Sequence, residues 1–136
     1  MNRKVNYTDP PVVRCAIYTR TARTKAPDGE FDPLQAQRRS AEAWIAERQR
    51  AGWCRLPDRY DDGGFSGSRL DRPALMRLLS DVEAGRIDCV VVDNLGRISR
   101  SLPDFIELNA FFGRHNVALV FVQQPSEHPY RNGRET

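Results

Sequence analysis

With 136 residues and 40% hydrophobic content, the chain has the size of one compact domain that can bury a real core, which argues against a two-domain protein. Lys plus Arg number 21 against 18 for Asp plus Glu, and the resulting net charge of +3 permits a polyanionic partner without demanding one. No stretch approaches the length needed to span a bilayer and Met1 to Pro11 holds no signal-like apolar run, so a cytoplasmic protein with no membrane partner is expected.

Cys15, Cys54 and Cys89 lie in separate apolar or strand-like stretches with no C-x-x-C spacing, and read as small core residues of a reducing compartment. Val12 to Tyr18 is a β-branched, apolar run expected to form a buried strand. After a polar loop with Pro27, Asp28 and Gly29, Asp32 stands before Pro33 as an N-cap and first-turn pair. The helix they open carries Leu34, Ala41, Trp44 and Ile45 on one side and runs to about Ala51, where Gly52 can end it.

Trp53 to Tyr60 reads as a second strand, demoted toward an edge by Pro57, which has no N–H for a ladder. Asp61 to Ser68 is glycine-rich loop. Asp71 is placed to cap a helix from Pro73, with Leu75, Leu78, Leu79 and Val82 at helical spacing and Gly85 as its stop. Cys89 to Val92 is apolar throughout, as a strand buried on both faces requires. A loop from Asn94 to Arg100 leads to Ser101, which can cap a helix from Pro103 to about Arg114 with Phe105, Leu108, Phe111 and Phe112 facing inward, and Val117 to Val122 is the last strand.

Strands alternating with helices predict an α/β domain, a parallel-type sheet flanked by helices. The expected organisation is a flexible start over 1–11, one domain over 12–124 and a flexible tail over 125–136, where two prolines, a glycine and few apolar residues gather.

In open parallel sheets, ligands meet the loops at the carboxyl ends of strands. Those loops offer Arg20, Arg69, Arg72, Arg97 and Arg100, with Asp62, Ser66 and Ser99 among them. Several guanidinium groups on one face suit a phosphate, because each is planar, always charged and able to hold two oxygens. A lone loop arginine is ordinarily a solvated charge, and Gly63-Gly64 matches no Walker or dinucleotide fingerprint. Spacing alone therefore leads to an anion-binding α/β domain.

Ile17-Tyr18-Thr19-Arg20-Thr21-Ala22 resembles the Tyr-x-Arg-x-Ser motif of serine site-specific recombinases, the resolvase and invertase superfamily, and Leu34 to Arg38 resembles the glutamine-bearing helix that follows it. The run from Tyr60 to Leu79 (YDDGGFSGSRLDRPALMRLL) is similar to the matching stretch of the large serine recombinases, and Gly85 to Leu102 continues in register. The resemblance covers about Val12 to Gln124. It implies a resolvase-like catalytic domain in which a serine attacks a DNA phosphate, giving a phosphoserine linkage and a free 3′ hydroxyl, while arginines stabilise the transition state without a metal or other cofactor.

Carried over by position, the resemblance implies that Arg20, Arg72, Arg97 and Arg100 surround the phosphate, that Gln37, Asp62 and Ser66 order the site, and that Tyr18 packs. The nucleophile position, however, is Ala22, which has no atom that can attack phosphorus. The implied Lys-x-Asp-Arg reads Asn94-Leu95-Gly96-Arg97, so Asn94 and Gly96 are further departures. Loss of the nucleophile removes covalent turnover, and the resemblance then implies a degenerate enzyme that keeps DNA-phosphate or partner binding. Thr21 is expected to face away from Arg20, and Ser66 and Ser99 are hydroxyls in the right loops without a defined line to a phosphate.

Full family members continue into a long helix and a DNA-binding domain, so the residues present imply weak DNA binding, with a homodimer or a heterodimer with an active recombinase as the protein partner. Two other readings stay open: an active recombinase domain with another nucleophile, and a flavodoxin-like ligand-binding or signalling module. The arginine pattern disfavours the second of these.

Overall fold

The computed structural model describes residues 11–23 and 32–123. In chain order the elements are β1 (Val13–Thr21), α1 (Pro33–Ala46), a 3-10 turn (Gln49–Ala51), β2 (Trp53–Arg55), β3 (Tyr60–Gly63), α2 (Pro73–Glu83), β4 (Cys89–Val92), α3 (Leu95–Ile98), α4 (Leu102–Arg114) and β5 (Ala118–Phe121). The sheet runs β2-β1-β4-β5, with β3 also paired to β1, and every pairing is parallel. Helices cover both faces, so the domain is the expected α/β layer structure, a parallel sheet flanked by helices.

Alternation along β1 builds the two halves of the core. Ala16 and Tyr18 pack with Leu75, Leu78 and Val82 of α2 and Phe105, Leu108 and Phe112 of α4. Cys15 and Ile17 pack with Ala41 and Ile45 of α1 on the opposite face. Asp32 caps α1 by accepting the Leu34 amide at 3.1 Å, and Ser101 caps α4 by accepting the Asp104 amide at 3.3 Å, as their positions in the sequence predict.

Four expectations need correction. The helix from Pro33 stops at Ala46 and the chain tightens into the 3-10 turn, whose closing residue is Gly52. The strand expected over Trp53 to Tyr60 is only Trp53–Arg55, ending before Pro57, and the next strand, β3, takes Asp61 to Gly63 from the run expected to be loop; β2 pairs with the start of β1 and β3 with its end. Asp71 does not cap α2, because its carboxylate is held by Arg69 at 2.6 Å; the N-cap residue is Arg72, without a side-chain cap of its own. Cys54 is exposed on the edge strand β2, whereas Cys15 and Cys89 are buried in the centre. The segments expected to be flexible, 1–11 apart from Pro11 and 125–136, lie outside the described residues.

Candidate functional site

β1 is longer than β4. Its register with β4 ends at Tyr18 opposite Val92, while on the other side it continues to Thr21 opposite Gly63 of β3. The notch above β4 exposes the backbone of Arg20, and Gln37 of α1 fills it. The Gln37 Oε1 accepts the Arg20 amide at 3.1 Å and its Nε2 donates to the Arg20 carbonyl at 3.0 Å. A buried glutamine thus acts as one residue of missing strand.

The Arg20 side chain is 2% exposed and turns back into the sheet end. Its Nε donates to the Arg97 carbonyl at 2.9 Å, one terminal nitrogen to the Phe65 carbonyl at 2.8 Å and the other to the Gly96 carbonyl at 2.9 Å. Arg72, 1% exposed, donates to the carbonyls of Ile98 and, at 3.4 Å, Arg97. Arg97 in turn reaches the Arg20 carbonyl at 3.3 Å. The turn carrying α3 therefore aims three consecutive carbonyls, Gly96 to Ile98, at two buried guanidinium groups.

Among the described residues no carboxylate lies within 4.0 Å of a nitrogen of Arg20, Arg72, Arg97 or Arg100. Burial, and then the positive charge of Arg72, Arg100 and Arg97, lower the Arg20 pKa from its ordinary value. The Nε atoms of Arg72 and Arg97 are buried without a hydrogen-bond partner. Four guanidinium groups gathered in one place, none in direct contact with a carboxylate, form a positive strand end that favours an oxyanion.

Asp62, 1% exposed, ties this cluster to α2. It accepts the Tyr18 hydroxyl at 2.7 Å and the amides of Ala74 and Leu75 at 2.8 and 3.0 Å. A residue on β3 thus supplies the cap that Asp71 does not, and holds Arg72 at the helix start. Burial, opposed by the Arg72 charge and assisted by the bond to Asp62, pushes the Tyr18 phenol well above its usual range. The Arg72 guanidinium lies 5.5 Å from the Tyr18 ring centroid.

Ala22 sits just beyond the end of β1, exposed, on the chain that leaves Arg20. Arg100 is exposed at the rim, and its amide donates to the Gly67 carbonyl at 2.9 Å. Ser66 is exposed and shares a 2.8 Å hydrogen bond with Ser68. Thr21 Oγ1 accepts the Arg23 amide at 3.3 Å, and the buried Ser99 hydroxyl donates to the Ser101 carbonyl at 3.0 Å. Gly96 contributes its carbonyl to Arg20, and Asn94 donates from its side chain to Asp93 at 3.3 Å.

Three contributors escape sequence reasoning. Asp93, at the end of β4, supplies this loop with a carboxylate and also accepts the Gln123 side-chain amide at 3.1 Å. Phe65 acts through its carbonyl, which no side-chain pattern signals. Gly67 lies against both Arg20 and Arg100. Among the described residues no group of three His, Cys, Asp or Glu side chains is placed to hold a metal ion, and no helix is long and apolar enough to cross a membrane.

The family described as "Resolvase, N terminal domain" matches residues 15–135. A "Putative DNA recombinase" of Bacillus subtilis (strain 168) is 39% identical over 64 residues, which cover 47% of this chain and only 13% of that protein. Among solved structures, the N-terminal catalytic domain of TP901-1 integrase superposes with a TM-score of 0.67 at 31% identity, covering 82% of this chain and 79% of that one. A resolvase family site-specific recombinase from Streptococcus pneumoniae shares the fold at a TM-score of 0.67 and 22% identity, over 84% and 74% of the two chains. The strand-end arginines thus sit in a fold and a sequence shared with recombinases, and the chain belongs to the resolvase family of serine recombinases, as a domain of its N-terminal catalytic type.

Proposed function

We propose that this domain serves DNA recombination by holding DNA phosphates in its arginine cluster, and that with alanine at position 22 it does not cut the strand it holds. The observation that carries the reading is the convergence of Arg20, Arg72, Arg97 and Arg100, none of whose nitrogens has a carboxylate of the described residues within 4.0 Å. Within the cluster the labour divides. Arg20 and Arg72 are buried and spend their donors on backbone carbonyls, so they brace the α3 turn; Arg97 and the exposed Arg100 meet the phosphate.

Absence of cleavage rests on Ala22 and on the state of the neighbouring hydroxyls. Thr21 lies on the face of β1 opposite Arg20, Ser99 is buried and bonded to a carbonyl, and Ser66 is paired with Ser68. None is aligned as a substitute nucleophile, and Asn94 supplies no positive charge. A domain of this kind contributes as a DNA-bound subunit beside a second, cutting recombinase, a role that needs no nucleophile.

The test has two readouts on the same mixture. Binding to a labelled duplex, titrated at several salt concentrations, is expected to weaken with a log–log slope of about −1 to −2, the signature of one or two phosphates neutralised. Incubation with supercoiled DNA is expected to give no protein joined to 5′ ends. Absence of salt-dependent binding would refute the phosphate site, and a covalent adduct would refute the non-cutting reading.

A further inference from the structure

Gly67 is buried in the loop between β3 and α2. Its neighbour in the same loop, Gly64, has a φ of 84°, so a turn explains that glycine. Gly67 lies outside the left-handed region, so a turn of that kind does not explain this second glycine. Space is what excludes a side chain. A Cβ at position 67 would stand 2.7 Å from Arg100 Cγ and 3.0 Å from both Cζ and a terminal nitrogen of Arg20.

The two neighbours cannot yield equally. Arg20 is held by the carbonyls of Phe65, Gly96 and Arg97. Arg100 is exposed, and the hydrogen bond it makes to this loop is from its backbone amide to Gly67. The overlap is at Cγ, close to the backbone, so relief requires rotation about χ1 and carries the whole guanidinium away.

Resting on the phosphate reading given above, we infer that Gly67 is a positioning residue: its bare α-carbon is the groove in which the Arg100 stem lies, and that groove fixes where the Arg100 guanidinium meets the anion. The loop then acts on phosphate binding without contacting the phosphate. Ser66 and Ser68 on either side tolerate side chains because both point to solvent.

A double-mutant cycle tests this with the whole chain and a fluorescein-labelled duplex of arbitrary sequence. Arg100→Ala is expected to reduce the log–log salt slope by about 0.9, the contribution of one phosphate. Gly67→Ala is expected to reduce it equally, and the double variant no further. In heteronuclear NMR spectra, Gly67→Ala should displace the Arg100 Nε–H resonance and leave that of Arg20 in place.

If Gly67→Ala retains the parent slope, or adds its loss to that of Arg100→Ala, the inference is overturned. If Arg100→Ala itself retains the parent slope, the phosphate role of Arg100 falls, and the inference with it. If the Arg20 resonance moves and that of Arg100 does not, the groove is wrong even where the phosphate role stands. Should Gly67→Ala fail to fold, restoration of folding in Gly67→Ala, Arg100→Ala supports the contact, and failure to restore it overturns the inference.

Discussion

Replacing Asp62 by alanine removes one carboxylate that serves a strand, a loop and a helix together. The Tyr18 hydroxyl, at 0% exposure, is left without its acceptor, a loss of about 1–3 kcal/mol for a buried unpaired polar group. The Ala74 and Leu75 amides at the start of α2 lose their cap, a further loss of about 0.5–2 kcal/mol. Taken together at about 3 kcal/mol, and with about 4 °C of melting temperature per kcal/mol for a domain of this size, Asp62→Ala should melt about 12 °C below the parent. Tyr18→Phe, which removes a single bond, should lose less, and adding it to Asp62→Ala should cost little more, because the orphaned hydroxyl is gone.

The control is Asp71→Ala, at the position that the sequence pattern marks as the cap. Its carboxylate is exposed and bonded to Arg69, so its removal should leave the melting curve in place. Thermal melts followed by circular dichroism decide the matter. An Asp62→Ala protein melting within about 3 °C of the parent, or an Asp71→Ala protein falling as far as Asp62→Ala, would refute the transfer of the capping role from Asp71 to Asp62.

Arg20→Lys keeps the charge but cannot reach the carbonyls of Phe65, Gly96 and Arg97 together; we expect a loss of about 3 kcal/mol in urea unfolding, with the DNA salt slope of the folded protein unchanged. A reduced slope at full stability would show Arg20 to be a phosphate ligand instead. Ala22→Ser should alter stability by less than about 0.5 kcal/mol, because the position is exposed and lies beyond β1. Stability should fall at alkaline pH. The Tyr18 phenol is raised by burial, so the unfolded chain releases this proton near pH 10 while the folded chain keeps it. The contribution of Tyr18 is therefore complete below about pH 10 and is lost as pH rises further, by about 1.4 kcal/mol per pH unit. Urea midpoints between neutral pH and pH 11 should show a shallower decline in Tyr18→Phe, and an unchanged decline would refute the assignment.

The fold was legible where local chemistry and tertiary structure agree. Cys89 to Val92 is apolar at every position because both faces are covered, and β4 has those limits. Asp32 and Ser101 cap the helices they precede, because the bonds concerned span two and three residues. Asp71 misleads because a local rule is overridden by a distant residue: Asp62 lies 12 positions before the first amide it caps, and no window over the helix start contains that bond. Pro57 marked an edge strand, and β2 is one, but only the length of β1, which accommodates β2 and β3 end to end, shows that the chain resumes as a second strand after it. At the site, residue type identified the arginines, whereas their burial could not be read. Arginine is almost never fully buried unless partnered, and the partners here are backbone carbonyls of Phe65, Gly96, Arg97 and Ile98, which carry no sequence signature.

The bracing of Arg20 and Arg72 by main-chain oxygens also bears on how such a domain can change over time. Side chains that depend on a substrate for their counter-charge leave a site strained when that substrate is absent, and selection on chemistry and on folding are then joined. Here the substitute for the ligand is built from peptide groups, which no single substitution can delete. Position 22, exposed beyond the last residue of β1, takes no part in that network. Architecture at this strand end is consequently separable from what stands at the rim: the residue at position 22 can vary while the scaffold around Arg20 and Arg72 stays in place.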